Sequence, residues 1–550
     1  MAAGASDQQM PLWWQRGVIY QIYPRSFGDT NGDGVGDLPG ITRHLDYLTE
    51  TLGVDAIWIS PFYPSPMADF GYDVSNYTDV DPIFGTLADF DELIAAAHAR
   101  GLAVMIDWVP NHSSDQHPWF VESRASRQSP KRDWYFWADG KADGAPPNNW
   151  LSIFGGPAWT FDPTTGQWYR HTFLPQQPDM NWRNPDLRRA MLDTLRFWLD
   201  RGVDGFRIDA AHHILKDPLL RDNPPNPTDD FSLQKPIGAY DSQIHRYDGG
   251  DPEVHQLFRE VRAILDAYSA ERPRMAVGEI QVFDWSEWVK FYGAALDEFH
   301  LPFNFALVRH PFTGPEVRAV VDGLEAALPP GAWPNYVLGN HDEPRIATRF
   351  GPERARLAML LLLTLRGTPT LYYGDELGMT DAAIAPHQAR DPWGLRVPGL
   401  NLGRDPQRTP MHWTSAPNAG FAAPGVATWL PLAADYQRAN VATELGDPRS
   451  MLALTRALLA LRRAAPALTV GAYHPVDPTP APVFAFRREA PSQRFLLALN
   501  FGPAEQTLDL AHLGSGTLRV CTTLDRAGAV DLGALTLRGF EGCVIELGGS

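Results

Sequence analysis

Cysteine is almost absent, with only Cys521 and Cys543 in 550 residues. That excludes a disulfide framework and favours two reduced, buried thiols over a single bridge. Long apolar runs are missing too. The greasiest stretch, 357–365, stops at Arg366, far short of the ~20 residues that cross a bilayer. Residues 1–11 are small and polar, without the apolar segment of a signal peptide, so a cytoplasmic location is expected. Positive charge is the third scarcity: 47 basic residues face 65 acidic ones, a net charge of −18. So acidic a chain lacks the footprint for nucleic acid or an anionic membrane. It carries no internal repeat and no low-complexity tract.

Aromatic residues, by contrast, are plentiful, with 18 Trp and 17 Tyr. Their faces suit sugar rings, although they also fill large cores. At this length two or three domains are expected. Apolar stretches at 18–24, 56–61 and 103–107 read as strands, separated by helices over 41–52 and 84–100 that end at Gly53 and Gly101. Strands apolar throughout, alternating with helices, indicate a parallel sheet covered on its face.

The rhythm breaks over 113–178, a stretch rich in Trp, Gly, Pro and Asn and too long for a plain loop, so an inserted subdomain is expected there. It resumes with a helix from Asp186 and strands at 203–208, 274–279, 296–299, 336–338 and 370–373. About eight strands make a (β/α)8 barrel over 1–112 and 179–465, with an irregular excursion near 375–430. A proline- and aspartate-rich loop occupies 218–251, and helices are expected at 252–270, 354–365 and 450–464. Residues 466–550 alternate β-formers with turns, as in a small antiparallel β-sandwich, and show no titratable cluster.

Polar groups gather where barrel strands end: Asp107 to His112, Arg207 and Asp209, Glu279, and Asn340-His341-Asp342. Taken singly, Arg207 and Asp209 read as an ion pair closing a strand. Strand ends of one barrel converge on one face, however, where such carboxylates would repel unless protons or cations are shared. One carboxylate held ionised and another held protonated is what glycoside hydrolysis requires. Separately, Asp29, Asn31, Asp33 and Asp37 place oxygens at alternate positions among glycines, as a hard cation demands. The twelfth position of this loop is Gly40, so it is not an EF-hand.

Several motifs together resemble the α-amylase superfamily, glycoside hydrolase family 13: Asp107-Trp108-Val109-Pro110-Asn111-His112, Gly205-Phe206-Arg207-Ile208-Asp209, Gly278-Glu279 and Asn340-His341-Asp342. Gln177-Pro178-Asp179-Met180-Asn181 resembles the further signature of its oligo-1,6-glucosidase subfamily, with Met180 where leucine is usual. The resemblance implies Asp209 as nucleophile, Glu279 as general acid and then base, and Asp342 as the group gripping sugar hydroxyls. It implies Tyr72, His112, Phe154, Arg207 and His341 as the contacts of the bound glucose. It also implies Asp29, Asn31, Asp33, the Val35 carbonyl and Asp37 as a structural calcium or magnesium site, with no organic cofactor.

Asp69 and Arg404 match a pair that holds the terminal glucose in exo-acting relatives; alone, they would read as a turn cap and a surface cation. Ala210, next to the nucleophile, occupies a position where valine accompanies α-1,6 and alanine or threonine α-1,4 cleavage. The expected activity is an exo-acting, retaining α-glucosidase on short oligosaccharides such as maltose, with accompanying transglucosylation, in a monomer or homodimer. Alternatives are a disaccharide isomerase of the same fold, an oligo-1,6-glucosidase, and a non-catalytic barrel, against which the three acids stand.

Overall fold

A computed structural model describes residues 11–228, 235–477 and 479–548. The expectation for residues 1–10, and that part of the 218–251 loop at 229–234, lie outside the described residues. The centre is a parallel eight-stranded sheet: β1 (Ile19–Ile22), β2 (Ala56–Ile59), β3 (Ala103–Trp108), β4 (Gly205–Ile208), β5 (Met275–Gly278), β6 (Leu301–Pro302), β7 (Asn335–Val337) and β8 (Thr368–Tyr372). They pair in the order β7-β8-β1-β2-β3-β4-β5-β6. Between β6 and β7 a side chain takes over from the backbone ladder. Asn335 accepts from the Asn304 N–H at 3.1 Å and donates its amide to the Pro302 carbonyl. This closes the barrel expected from the strand rhythm.

Period-two alternation sorts the strand residues. Ile19, Trp58, Met105, Met275, Val277, Leu301 and Val337 pack inside the barrel. Tyr20, Ile57, Val104, Phe206 and Ala276 face outward into the larger core beneath the helices. The helix Pro185–Asp200 shows how the sequence builds this shell. The Asn184 side chain accepts from the Asp186 and Leu187 N–H groups, Pro185 opens the first turn, and Leu187, Met191, Leu195 and Trp198 form the buried stripe. Gly202, at φ +99°, turns the chain into β4.

Three of the expected barrel elements are corrected. The helix over 41–52 is two pieces, Leu38–Arg43 and a wider coil Tyr47–Leu52. Asp37 caps the first by accepting from Gly40 N–H, so the helix starts earlier and ends before His44. The helix over 84–100 begins at Leu87, because Thr86 and Asp89 form a capping box there. The strand expected at 296–299 lies at Leu301–Pro302, and Leu296 is left-handed at φ +56°, which no strand accepts.

After β3 the inserted stretch forms a three-stranded antiparallel sheet from Trp137–Ala138, Gln167–Arg170 and Trp159–Asp162. The C-terminal part contains a six-stranded antiparallel sheet and a two-stranded one with its own apolar core. Contrary to expectation it does hold a titratable cluster. Glu541 accepts from Arg526 and Arg538 at 2.7 Å, and Arg538 also grips Asp525 at 2.7 Å. Cys521 and Cys543 are buried, free and opposite one another on adjacent strands. No described helix is long and apolar enough to cross a membrane.

Gly278 ends β5 just before Glu279, and a Cβ there would lie 2.2 Å from the buried Phe299 ring. That ring is held against Phe258 at a centroid distance of 4.3 Å. Gly278→Ala is therefore expected to destabilise the protein by about 1–3 kcal/mol through overpacking. Adding Phe299→Leu should recover part of the loss, as read by thermal unfolding of both variants.

Candidate active site

At the C-terminal ends of the strands lies a cavity of about 570 Å³, lined among others by Asp69, Tyr72, His112, Phe154, Asp209, Glu279, Asp342 and Arg404. Arg207 and His341 are buried immediately beneath it. The cation-loop residues Asp29, Asn31, Asp33, Val35 and Asp37 do not line it.

Sheet register creates the core of the site. Asp107 on β3 pairs with Arg207 on β4, which pairs with Val277 on β5. The Arg207 guanidinium donates to Asp107 at 2.6 Å and to Asp209 at 2.7 Å, and approaches Glu279 at 2.8 Å. Three carboxylates thus share one buried cation. Burial raises the Asp209 carboxyl well above the ordinary range. Glu279, Asp107 and Asp342 push the same way, and Arg207 opposes them. Burial likewise lifts Asp107 to about 6. The cluster therefore retains a proton at a pH where isolated carboxyls have lost theirs.

Asp342 behaves in the opposite way. Burial alone would raise it, yet the guanidiniums of Arg404 and Arg408 hold it well below the carboxylate range. The guanidiniums of Arg404 and Arg408 lie 3.1 and 2.7 Å from its Oδ1. His341 itself is kept neutral by burial. Its Nδ1 accepts from the Gln21 amide at 2.7 Å, so Nε2 carries the proton toward the Tyr72 hydroxyl, also at 2.7 Å. The Tyr72 and His341 rings stack at 5.4 Å. His112, pushed down to about 4 by burial, meets the Tyr72 carbonyl and the Gln177 amide at 3.1 Å each.

One end of the cavity is closed by charge. Arg404 donates to Asp69 at 2.7 Å, with its guanidinium 5.0 Å above the Phe154 ring. Gln177 donates to the other Asp69 oxygen at 3.1 Å. The lining also includes His212, His213, Lys235, Arg309 and Glu343. Ala210, at φ +45°, bends the chain so that its N–H donates to Glu279 Oε2 at 2.9 Å. A non-glycine residue in this conformation is strained and persists only where its surroundings enforce it.

Sequence reasoning missed Asp391. It accepts from the Arg404 main chain at 2.8 Å and from its guanidinium at 2.7 Å. Despite burial, Arg404 and Arg408 hold its pKa below the ordinary value. The only local signal was Pro392 after it, which makes Asp391 read as a helix cap; its side chain caps nothing. Removing its charge with Asp391→Asn should loosen Arg404 and weaken ligand binding in the cavity roughly tenfold or more, the loss of a charged hydrogen bond. Steady-state kinetics should show this in KM ahead of kcat.

Comparison with known proteins agrees with this geometry. The chain matches the family described as "Alpha amylase, catalytic domain" over residues 21–471. It is 45% identical over 507 residues to a probable alpha-glucosidase of Rhizobium meliloti, covering 90% of this chain and 91% of that protein. It is 37% identical over 541 residues to an oligo-1,6-glucosidase of Heyndrickxia coagulans, covering 91% and 94%. Among solved structures, the alpha-glucosyl transfer enzyme XgtA superposes with a TM-score of 0.91 at 44% identity, covering 98% of this chain and all of that one. A trehalulose synthase, MutB, gives 0.88 at 36%, with the same coverage. With its barrel, its strand-end acids and these relatives, the chain belongs to the alpha-amylase family.

Proposed function

We propose that the protein is an exo-acting, retaining α-glucosidase that removes terminal α-linked glucose from short oligosaccharides. The observation that carries this reading is the single Arg207 guanidinium shared by Asp209 and Glu279 beside a cavity closed by Asp69 and Arg404. Asp209 attacks the anomeric carbon while the Glu279 carboxylic acid gives its proton to the departing glycosidic oxygen. The C–O bond to the leaving group breaks as the bond to Asp209 forms. Glu279, now ionised, takes a proton from water, whose oxygen displaces Asp209 with net retention. Another sugar hydroxyl in place of water gives transglucosylation.

Double displacement asks Asp209 to stand ionised against Arg207, which donates to it at 2.7 Å, while Glu279 serves the departing oxygen. Asp342, kept anionic by Arg404 and Arg408, grips sugar hydroxyls, and its charge favours an oxocarbenium-like centre. His112, His341, Tyr72 and Phe154 hold the ring. Ala210 supports α-1,4 preference, since it stands next to Asp209 at the position where alanine or threonine accompanies α-1,4 cleavage and valine α-1,6. The relatives bearing oligo-1,6-glucosidase and trehalulose synthase names mark the neighbouring outcomes, which differ in linkage and in what captures the glucosyl-enzyme. The division into a barrel at 1–112 and 179–465, an insertion at 113–178 and a C-terminal unit at 466–550 belongs to the same proposal. So does a cytoplasmic location, on the strength of the two free thiols.

The 29–37 loop is proposed to hold calcium or magnesium. Its donors are all hard oxygens, and Asp29 and Asp37 are mostly buried. Asp29 accepts from the Gly32 and Gly34 N–H groups at 2.7 and 2.9 Å, leaving each oxygen a further lone pair. Asp29, Asp33 and Asp37 do not yet bring one oxygen each within 4.8 Å of one another, so a cation would draw the loop tighter. Its role there is to neutralise the loop; it takes no part in the chemistry.

Three measurements test these assignments. Asp209→Asn should lower kcat by about 10⁴-fold or more while leaving the melting temperature near wild type. Wild-type enzyme should release α-glucose from maltose, followed by NMR, whereas rapid random cutting of starch would contradict the closed end. Chelation should lower the melting temperature by about 1 °C per kcal/mol of lost binding free energy; an unchanged melting curve would remove the cation.

A further inference from the structure

Two glycine turns from distant parts of the chain close on one short segment above the Arg404 end of the cavity. The first, in the inserted stretch, is tied by Ser152 N–H to the Gly156 carbonyl at 2.9 Å and by Gly155 N–H to the Ser152 carbonyl at 3.0 Å. Gly155 and Gly156 both have left-handed backbones, at φ +87° and +82°. The second turns at Gly238, φ +92°. Between them lie the short helix Pro392–Arg396 and the residues after it. A Cβ on Gly155 would sit 2.8 Å from Val397, and one on Gly238 would meet Val397 and Leu400 at 3.4 and 3.3 Å.

Arg396 fastens the first joint. Its Nε donates to the Phe154 carbonyl and its Nη2 to the Gly155 carbonyl, each at 3.0 Å. These bonds fix the height of Phe154, whose ring stacks on Trp393 at 5.1 Å and 20°. Arg404 lies over both rings, at 5.0 and 5.8 Å. Phe154, Trp393 and Arg404 line the cavity, whereas Arg396 is exposed outside it and does not. Among the described residues, no other group donates to the Phe154 or Gly155 carbonyl.

We propose that Arg396 is a positioning residue: it latches the 152–156 turn to the 392–400 segment, and so sets the wall formed by Phe154, Trp393 and Arg404 behind the terminal sugar. The inference rests on the glucosidase reading of the cavity and adds a specificity determinant to it. Two charge-assisted bonds hold the turn; without them the glycine pair relaxes and the wall recedes. The reacting bond lies elsewhere, so the loss falls on binding common to ground state and transition state.

The test compares wild-type protein with Arg396→Ala and Arg396→Lys. With maltose, Arg396→Ala should raise KM roughly three- to tenfold with kcat within about twofold. Lysine, which can reach one carbonyl, should fall between. Hydrogen exchange at the Gly155 amide should accelerate about tenfold or more in the alanine variant, with the melting temperature unchanged, because the opening is local. Unchanged KM and exchange would overturn the latch, as would a KM rise accompanied by a fall in melting temperature, which would make Arg396 a prop of the fold. Wild-type protein that released no glucose from maltose would refute the reading of the site instead, and Gly155 exchange would still decide the latch.

Discussion

The Arg207 guanidinium is the constraint around which the site is arranged. Burying Asp107, Asp209 and Glu279 together would be prohibitive without it, since each like charge raises the cost of ionising the next. One fully buried cation shared by three acids neither neutralises them completely nor leaves them all ionised. The result is a cluster that keeps a proton and an anion side by side. Asp342 stands outside this arrangement because two further guanidiniums, Arg404 and Arg408, hold it ionised. Two acids of the same chemistry are thereby given different protonation behaviour by their counter-ions.

Barrel geometry makes that arrangement available. Parallel strands in register bring Asp107 and Arg207 level, and the next positions along the chain carry the remaining groups to the same end of the sheet. Loops then build the rest. Asp69 and Tyr72 follow β2, His112 follows β3, Phe154 comes from the insertion, and Arg404 arrives from the excursion after β8. Each is fixed by a partner from another loop, as Arg404 is by Asp69 and Asp391, and His112 by Gln177. A rigid sheet thus carries the charged centre, while a mesh of loops carries the binding surface.

Much of this was legible in the sequence, for identifiable reasons. Strands covered on both faces are apolar throughout, so their charged ends stand out, as Asp107, Asp209, Glu279 and Asp342 do. Where local signals conflict with the fold, reading fails. Leu296 sits in an apolar stretch that resembles a strand, yet its backbone is left-handed and the strand forms at Leu301. The Arg526–Glu541–Arg538–Asp525 cluster escaped notice because its members lie in separate turns, brought together only by sheet pairing.

The sequence by itself determined the alternation of strands and helices, the acids at the strand ends, and the glycines that stop helices and turn loops. These are local matters, set by periodicity, side-chain chemistry and backbone freedom over a few residues. Tertiary structure alone decided which acids share Arg207, that Asp391 holds Arg404, and that Ala210 bends to donate to Glu279. Those outcomes depend on distances between residues remote in the chain, and electrostatic interaction in a buried site follows distance and desolvation, which no sequence spacing expresses.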